Sequence, residues 1–132
     1  MRNGNLVQGW MTLAGIVLVV VGLFGFINNP LVGSQANALI PTDAIHNIVH
    51  LTTGLVALYI AFGLRGENQV NGAIGFGILY VVILLAVVVS PTLFGLFAIP
   101  ANIVLHLIHV TLAVVSLAVG YMARGRLTAA TY

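Results

Sequence analysis

The chain has no cysteine and no lysine, and its 132 residues carry only two carboxylates, Asp43 and Glu67, against four arginines at positions 2, 65, 124 and 126. Without cysteine there is no disulfide framework and no thiolate metal site. With 5% charged residues, a water-facing surface cannot be covered, since soluble domains carry about 25%. A soluble globular domain and a disordered segment are both excluded on these grounds. A net charge of +2 supplies too few cations to track a phosphate backbone, so nucleic acid is excluded as a partner. What the chain has in abundance is apolar residues, at 61%. That points to an integral membrane protein whose first partner is lipid.

A helix that crosses the roughly 30 Å hydrocarbon core needs about 20 mostly apolar residues. Four segments meet this requirement, at about 10–27, 45–64, 70–89 and 102–122, and together they make residues 1–132 a single membrane domain. Their boundaries carry breaker chemistry. Asn28-Asn29-Pro30 stops the first segment, Arg65-Gly66-Glu67-Asn68-Gln69 reads as a polar turn, and Ser90-Pro91 ends the third. Pro41 and Pro100 each precede a new helix, and Thr42 or Asp43 is suited to cap the second. No segment alternates with period two, so a β-barrel is excluded. The expected fold is all-α, a transmembrane four-helix bundle. The first segment is expected to be a retained span and not a cleaved leader, because it is long for a signal peptide and the small-x-small site Ala36-Asn37-Ala38 lies far beyond its end.

With four spans, all four arginines fall on one side, and the opposite loops, 28–44 and 90–101, contain only Asp43. The positive-inside rule then places both termini in the cytoplasm. Trp10, Tyr121 and Tyr132 suit the membrane interface, whereas Tyr80, at mid-span, is expected to face the bundle.

Four histidines carry most of the chemical information. His46 and His50 share one face of the second span, and His106 and His109 share one face of the fourth. Both spans enter from the outer side, so all four imidazoles lie in the outer half of the bundle. Ionisable groups at that depth face the bundle interior or a partner. Three readings remain open. The imidazoles hydrogen-bond across the bundle to Asn47, Asn102, the hydroxyls of Thr52, Thr53 or Thr111, or a backbone carbonyl, which is the preferred reading. Alternatively His50 and His106 ligate a haem or chlorophyll-type tetrapyrrole. Or His46, His50, His106 and His109 gather round a transition metal such as zinc or copper. On matched depth, His50 and His106 are expected to face each other. No span contains a carboxylate, so a proton pump, a coupled transporter and a di-iron centre are disfavoured, and no enzymatic motif occurs in a suitable setting.

Small residues recur at helical spacings, namely Gly15, Gly22 and Gly25, Ala57 and Ala61, and Ala73 and Gly77. They let helix backbones approach closely in lipid, where no hydrophobic effect drives association. Their use is expected to be packing within the bundle, with contact to other membrane subunits as the alternative. The loop Ser90–Pro100 is apolar and is expected to rest on the bilayer surface or a partner. A weak echo between Asn47-Ile-Val-His50-Leu and Asn102-Ile-Val-Leu-His106-Leu fits two related helix pairs.

The pattern His46-Asn47-x-x-His50-Leu-x-x-Gly54-Leu, the start Asp43-x-x-His-Asn and the later Asn102-x-x-x-His106-Leu resemble an uncharacterised family of small bacterial four-span membrane proteins, known only as a domain of unknown function. The resemblance covers essentially the whole chain. It implies a bacterial cytoplasmic-membrane location and no known activity, and it assigns any shared role to His50 and His106, because His109 lies outside the pattern. Two functions follow as expectations. One is a non-catalytic accessory or assembly subunit of a larger respiratory or photosynthetic membrane complex. The alternative is an electron-transfer membrane protein binding haem, chlorophyll or a metal through its histidines.

Overall fold

A computed structural model describes residues 2–35 and 37–130. Ala36 and Tyr132, singled out above, lie outside them. The chain is all-helical apart from a short strand pair. It runs α1 (Arg2–Phe24), β1 (Val32–Gly33), β2 (Ile40–Pro41), α2 (Ala44–Gly63), α3 (Gly66–Val89) and α4 (Ile103–Ala130). All four helices are long and apolar enough to cross a membrane, over Leu6–Phe24, Ala44–Gly63, Gly66–Val89 and Ile103–Leu127. The protein is a multi-pass membrane protein built as a four-helix bundle.

The helix ends differ from the expected segments where side chains capture backbone groups. The first helix starts earlier, at Arg2, and ends at Phe24 rather than Ile27. Asn29 takes over there. Its amide donates to the carbonyls of Phe24 and Ile27, and its oxygen accepts from the N–H groups of Leu31 and Val32. The polar stretch 65–69 is not a separate turn, because α3 already begins at Gly66. The reason is Gln69, whose amide donates to the carbonyls of Ile60, Ala61 and Leu64 at 2.9–3.2 Å. Those carbonyls at the end of α2 have no helical partner of their own, and Gln8 of α1 donates to Ala61 as well, at 2.9 Å. The fourth helix starts at Ile103, with Asn102 accepting from the Leu105 N–H at 3.0 Å, and continues past residue 122 to Ala130.

Two tight helix pairs make up the bundle. The first is α1 against α2, and the second is α3 against α4. The α1–α2 seam is set by glycine. A Cβ on Gly15 would lie 2.9 Å from the Gly54 carbonyl, one on Gly54 2.8 Å from the Val19 nitrogen, and one on Gly22 2.9 Å from the Asn47 carbonyl. A Cβ on Gly25 would run into the Asn47 amide group. On the other seam, Gly77 meets Leu117 and Gly120 meets Ile74. Ala57, Ala61 and Ala73 are fully buried in the common core with Met11, Leu18 and Phe76. The small-residue faces are thus used inside the bundle. Across the bundle, the Trp10 indole of α1 donates to the Ser116 hydroxyl of α4 at 2.8 Å.

The outer loops are more structured than their composition indicates. Val32–Gly33 and Ile40–Pro41 form a parallel pair, with Thr42 N–H donating to the Gly33 carbonyl at 2.9 Å, and this pair delivers the chain into α2. Two-residue strands leave no periodicity to read. The loop after α3 passes through three residues of positive φ, Leu93, Phe94 and Gly95. This bend splits the loop's apolar side chains. Phe94 is 76% exposed, whereas Phe97 is turned inward and buried. The expectation that the whole loop lies on a surface is corrected accordingly.

Candidate metal centre

Asp43 begins the site. It caps α2, with one carboxylate oxygen accepting from the His46 N–H at 2.9 Å. Its other oxygen accepts from the Ala98 N–H, which fastens the 90–101 loop over the end of α2. The first two turns of α2 then present His46, Asn47 and His50 to the interior. From α4 the inward stripe is Leu105, His109, Leu112 and Ser116, all buried. Steps of three and four residues define that stripe, and His106, one residue from Leu105, falls at its half-buried edge.

Helices α2 and α4 stand across the long diagonal of the bundle, without backbone contact among the described residues. The imidazoles fill the space between them. His46 and His50 have ring centroids 4.4 Å apart, and His109 lies 6.2 Å from the first and 6.3 Å from the second. Each of the three is 1% exposed. Taking one ring nitrogen from each, the ligand atoms lie within 4.8 Å of one another. Phe97 forms the roof, stacked on His46 at 4.3 Å with the rings within 1° of parallel. Tyr80 forms the floor, 5.8 Å from His109. Its hydroxyl is 2.6 Å from that of Thr53, which itself donates to the Val49 carbonyl at 2.9 Å, so Tyr80 is the donor in the pair. Tyr80 therefore faces the bundle, as expected.

The pairing of His50 with His106 is corrected. The structure brings His50 together with His46 and His109, and His106 stays outside this group. Depth explains it once the true helix starts are used. His50 lies six residues after Ala44, and His109 lies six after Ile103. The expected hydrogen bonds to asparagine are also absent among the described residues. Asn102 is committed to Leu105 and to the Leu39 carbonyl, and the Asn47 side-chain oxygen has no partner.

Seven buried side-chain polar atoms lack a hydrogen-bond partner among the described residues: Thr42 Oγ1, His46 Nδ1, Asn47 Oδ1, both nitrogens of His50, His106 Nδ1 and His109 Nδ1. All lie in or just before the first turns of α2 and α4, at one end of the bundle. A buried polar group without a partner costs about 1–3 kcal/mol, so such a concentration demands an explanation. A cation accepting one lone pair from each of His46, His50 and His109 accounts for up to three of the seven, since neutral imidazole is a common metal ligand. The three rings pack on one another, with Phe97 on His46 and Tyr80 near His109, an arrangement that favours a bare ion over a tetrapyrrole.

Compared with protein-family models, curated proteins and solved structures, the chain matches none. The site therefore has to be read from its own chemistry.

Proposed function

We propose that this is a metal-binding membrane protein that holds one transition-metal ion between α2 and α4 through His46, His50 and His109. The observation that carries this reading is the convergence of three fully buried imidazoles, each with at least one ring nitrogen that has no hydrogen-bond partner among the described residues. The role is non-catalytic. Among the described residues the cluster has no nucleophile or free carboxylate beside it, because both Asp43 oxygens accept backbone N–H groups and Tyr80 donates to Thr53. The arginine distribution supports both termini in the cytoplasm and, with the bacterial inner-membrane location that the resemblance implies, a metal in the outer half of that membrane.

The test is elemental analysis of the protein purified without chelator. About one ion per chain is expected. It should be lost on His46→Gln, His50→Gln and His109→Gln, and kept on His106→Gln. Metal-free protein that does not take up any transition metal on incubation refutes the reading.

A second reading, an accessory subunit of a larger membrane complex, is favoured by one feature: the outward side of the 90–101 loop, where Phe94 and Leu96 are exposed. Extraction in mild detergent followed by native mass spectrometry tests it, and a monodisperse monomer in several detergents counts against it.

A further inference from the structure

Resting on the metal-site reading above, we infer that the ion is monovalent copper, held three-coordinate by His46, His50 and His109. Three features of the site favour it over zinc or another divalent ion.

The first is charge. All three ligands are neutral, the chain has no cysteine, and among the described residues no carboxylate joins the ligand group. The nearest anion, Asp43, is already engaged through both oxygens. The complex therefore keeps the full charge of its ion. The solvation penalty of a charge in a medium of low dielectric grows with its square, so a dication is penalised about fourfold more than a monocation of similar size. A divalent site in this position would need an anionic ligand, and none is supplied.

The second is coordination number. Zinc sites are almost always four-coordinate, with water in the fourth place when the protein gives three ligands. Here two aromatic rings press on the cluster and take up space a water ligand would need. The Phe97 ring lies flat on His46, and the Tyr80 ring lies against His109. The three histidines are each 1% exposed, which leaves no path for a standing water ligand. A filled d-shell cuprous ion accepts three ligands without a fourth, and imidazole suits copper.

The third is the span. The two ligand-bearing helices stand on the long diagonal without backbone contact, and only side chains bridge them. An ion of low coordination number can be gripped from two sides, two imidazoles from α2 and one from α4, once side-chain rotation brings nitrogens that lie within 4.8 Å of one another onto the ion.

The experiment uses the full chain in lipid nanodiscs. It is titrated anaerobically with Cu(I) as its acetonitrile complex and, separately, with Zn(II), each against a competing chromophoric chelator. X-ray absorption is then recorded on the loaded protein. The expected result is one Cu(I) per chain, bound at least about tenfold more tightly than Zn(II), with three nitrogen scatterers. Tighter Zn(II) with four light-atom scatterers overturns the ion's identity and leaves the metal site standing. Failure of both ions to bind brings down the site itself. A His109→Met chain that retains its helical circular dichroism separates the two cases further. A thioether is a soft ligand, so this variant is expected to hold Cu(I) and release Zn(II). Retention of Zn(II) with loss of Cu(I) overturns the inference.

Discussion

Asp43 links the histidine cluster to its cover, because one carboxylate caps the helix that carries His46 and His50 and holds the loop that carries Phe97. Asp43→Ala removes both contacts. Loss of an N-cap costs about 0.5–2 kcal/mol, and release of the loop adds to it. Thermal melts in detergent should therefore show a lower midpoint for the alanine variant. Asp43→Asn should recover part of the loss, because a single amide oxygen can cap α2 or accept from Ala98, but not both. Asp43 as a cap was legible in the sequence, being the polar residue just before an apolar run. Its second role was not, since Ala98 is 55 residues away. The histidines show the same division. Their presence on two helices at one end of the bundle could be read from spacing alone. Which of His106 and His109 turns inward depended on where α4 starts, and a shift of one residue rotates a helix by about 100°.

At the scale of elements, the α1–α2 seam is the most demanding contact. Gly54 sits where a Cβ would lie 2.8 Å from the Val19 nitrogen, which is helix backbone and cannot yield. Gly54→Leu should force the helices apart at a cost of about 1–3 kcal/mol or more, read as a fall in melting midpoint. Gly75 is the matched control. It lies in α3 with nothing within 4 Å of an added Cβ, so Gly75→Ala should leave stability unchanged or raise it by about 0.5–1 kcal/mol. The sequence marked Gly15, Gly22 and Gly25 by spacing but not Gly54, because a lone glycine in an apolar run carries no period. The 90–101 loop makes a separate prediction. Phe97→Ala removes the ring stacked on His46 and opens the roof to the outer aqueous phase. Metal transfer to an external chelator should become faster, while the stoichiometry at saturation stays at one. An unchanged release rate would show that the ion enters by another route.

At the scale of the whole molecule, the outward faces are apolar along the helices, with Leu13, Leu55, Phe62, Leu85 and Val114 all exposed, as a bundle solvated by hydrocarbon requires. The polar atoms are gathered inward at one end, so the two ends are chemically distinct. Around the α2–α3 connection the bonding is complete, through Gln8 and Gln69. The other end holds the seven unpaired atoms and the histidines. The four-span architecture followed from hydropathy because lipid imposes it on any chain of this composition, whereas the polar interior rests on contacts between distant residues. Which end faces out decides whether the site receives metal from the cytoplasm or from outside. The charge distribution bears on this: Arg65, Arg124 and Arg126 cluster at the end opposite the histidines, and the side chain of Arg124 there meets Asn71 at 2.6 Å. Arginine is retained on the cytoplasmic side during insertion, so the histidine end should face outward. The chain has no cysteine, which allows single-cysteine variants to be labelled without background. Leu39→Cys and Phe94→Cys, both exposed in the outer loops, should react with a membrane-impermeant maleimide in intact cells. Asn68→Cys, exposed in the first turn of α3, should react only after the membrane is opened. The reverse pattern would place the metal centre on the cytoplasmic side.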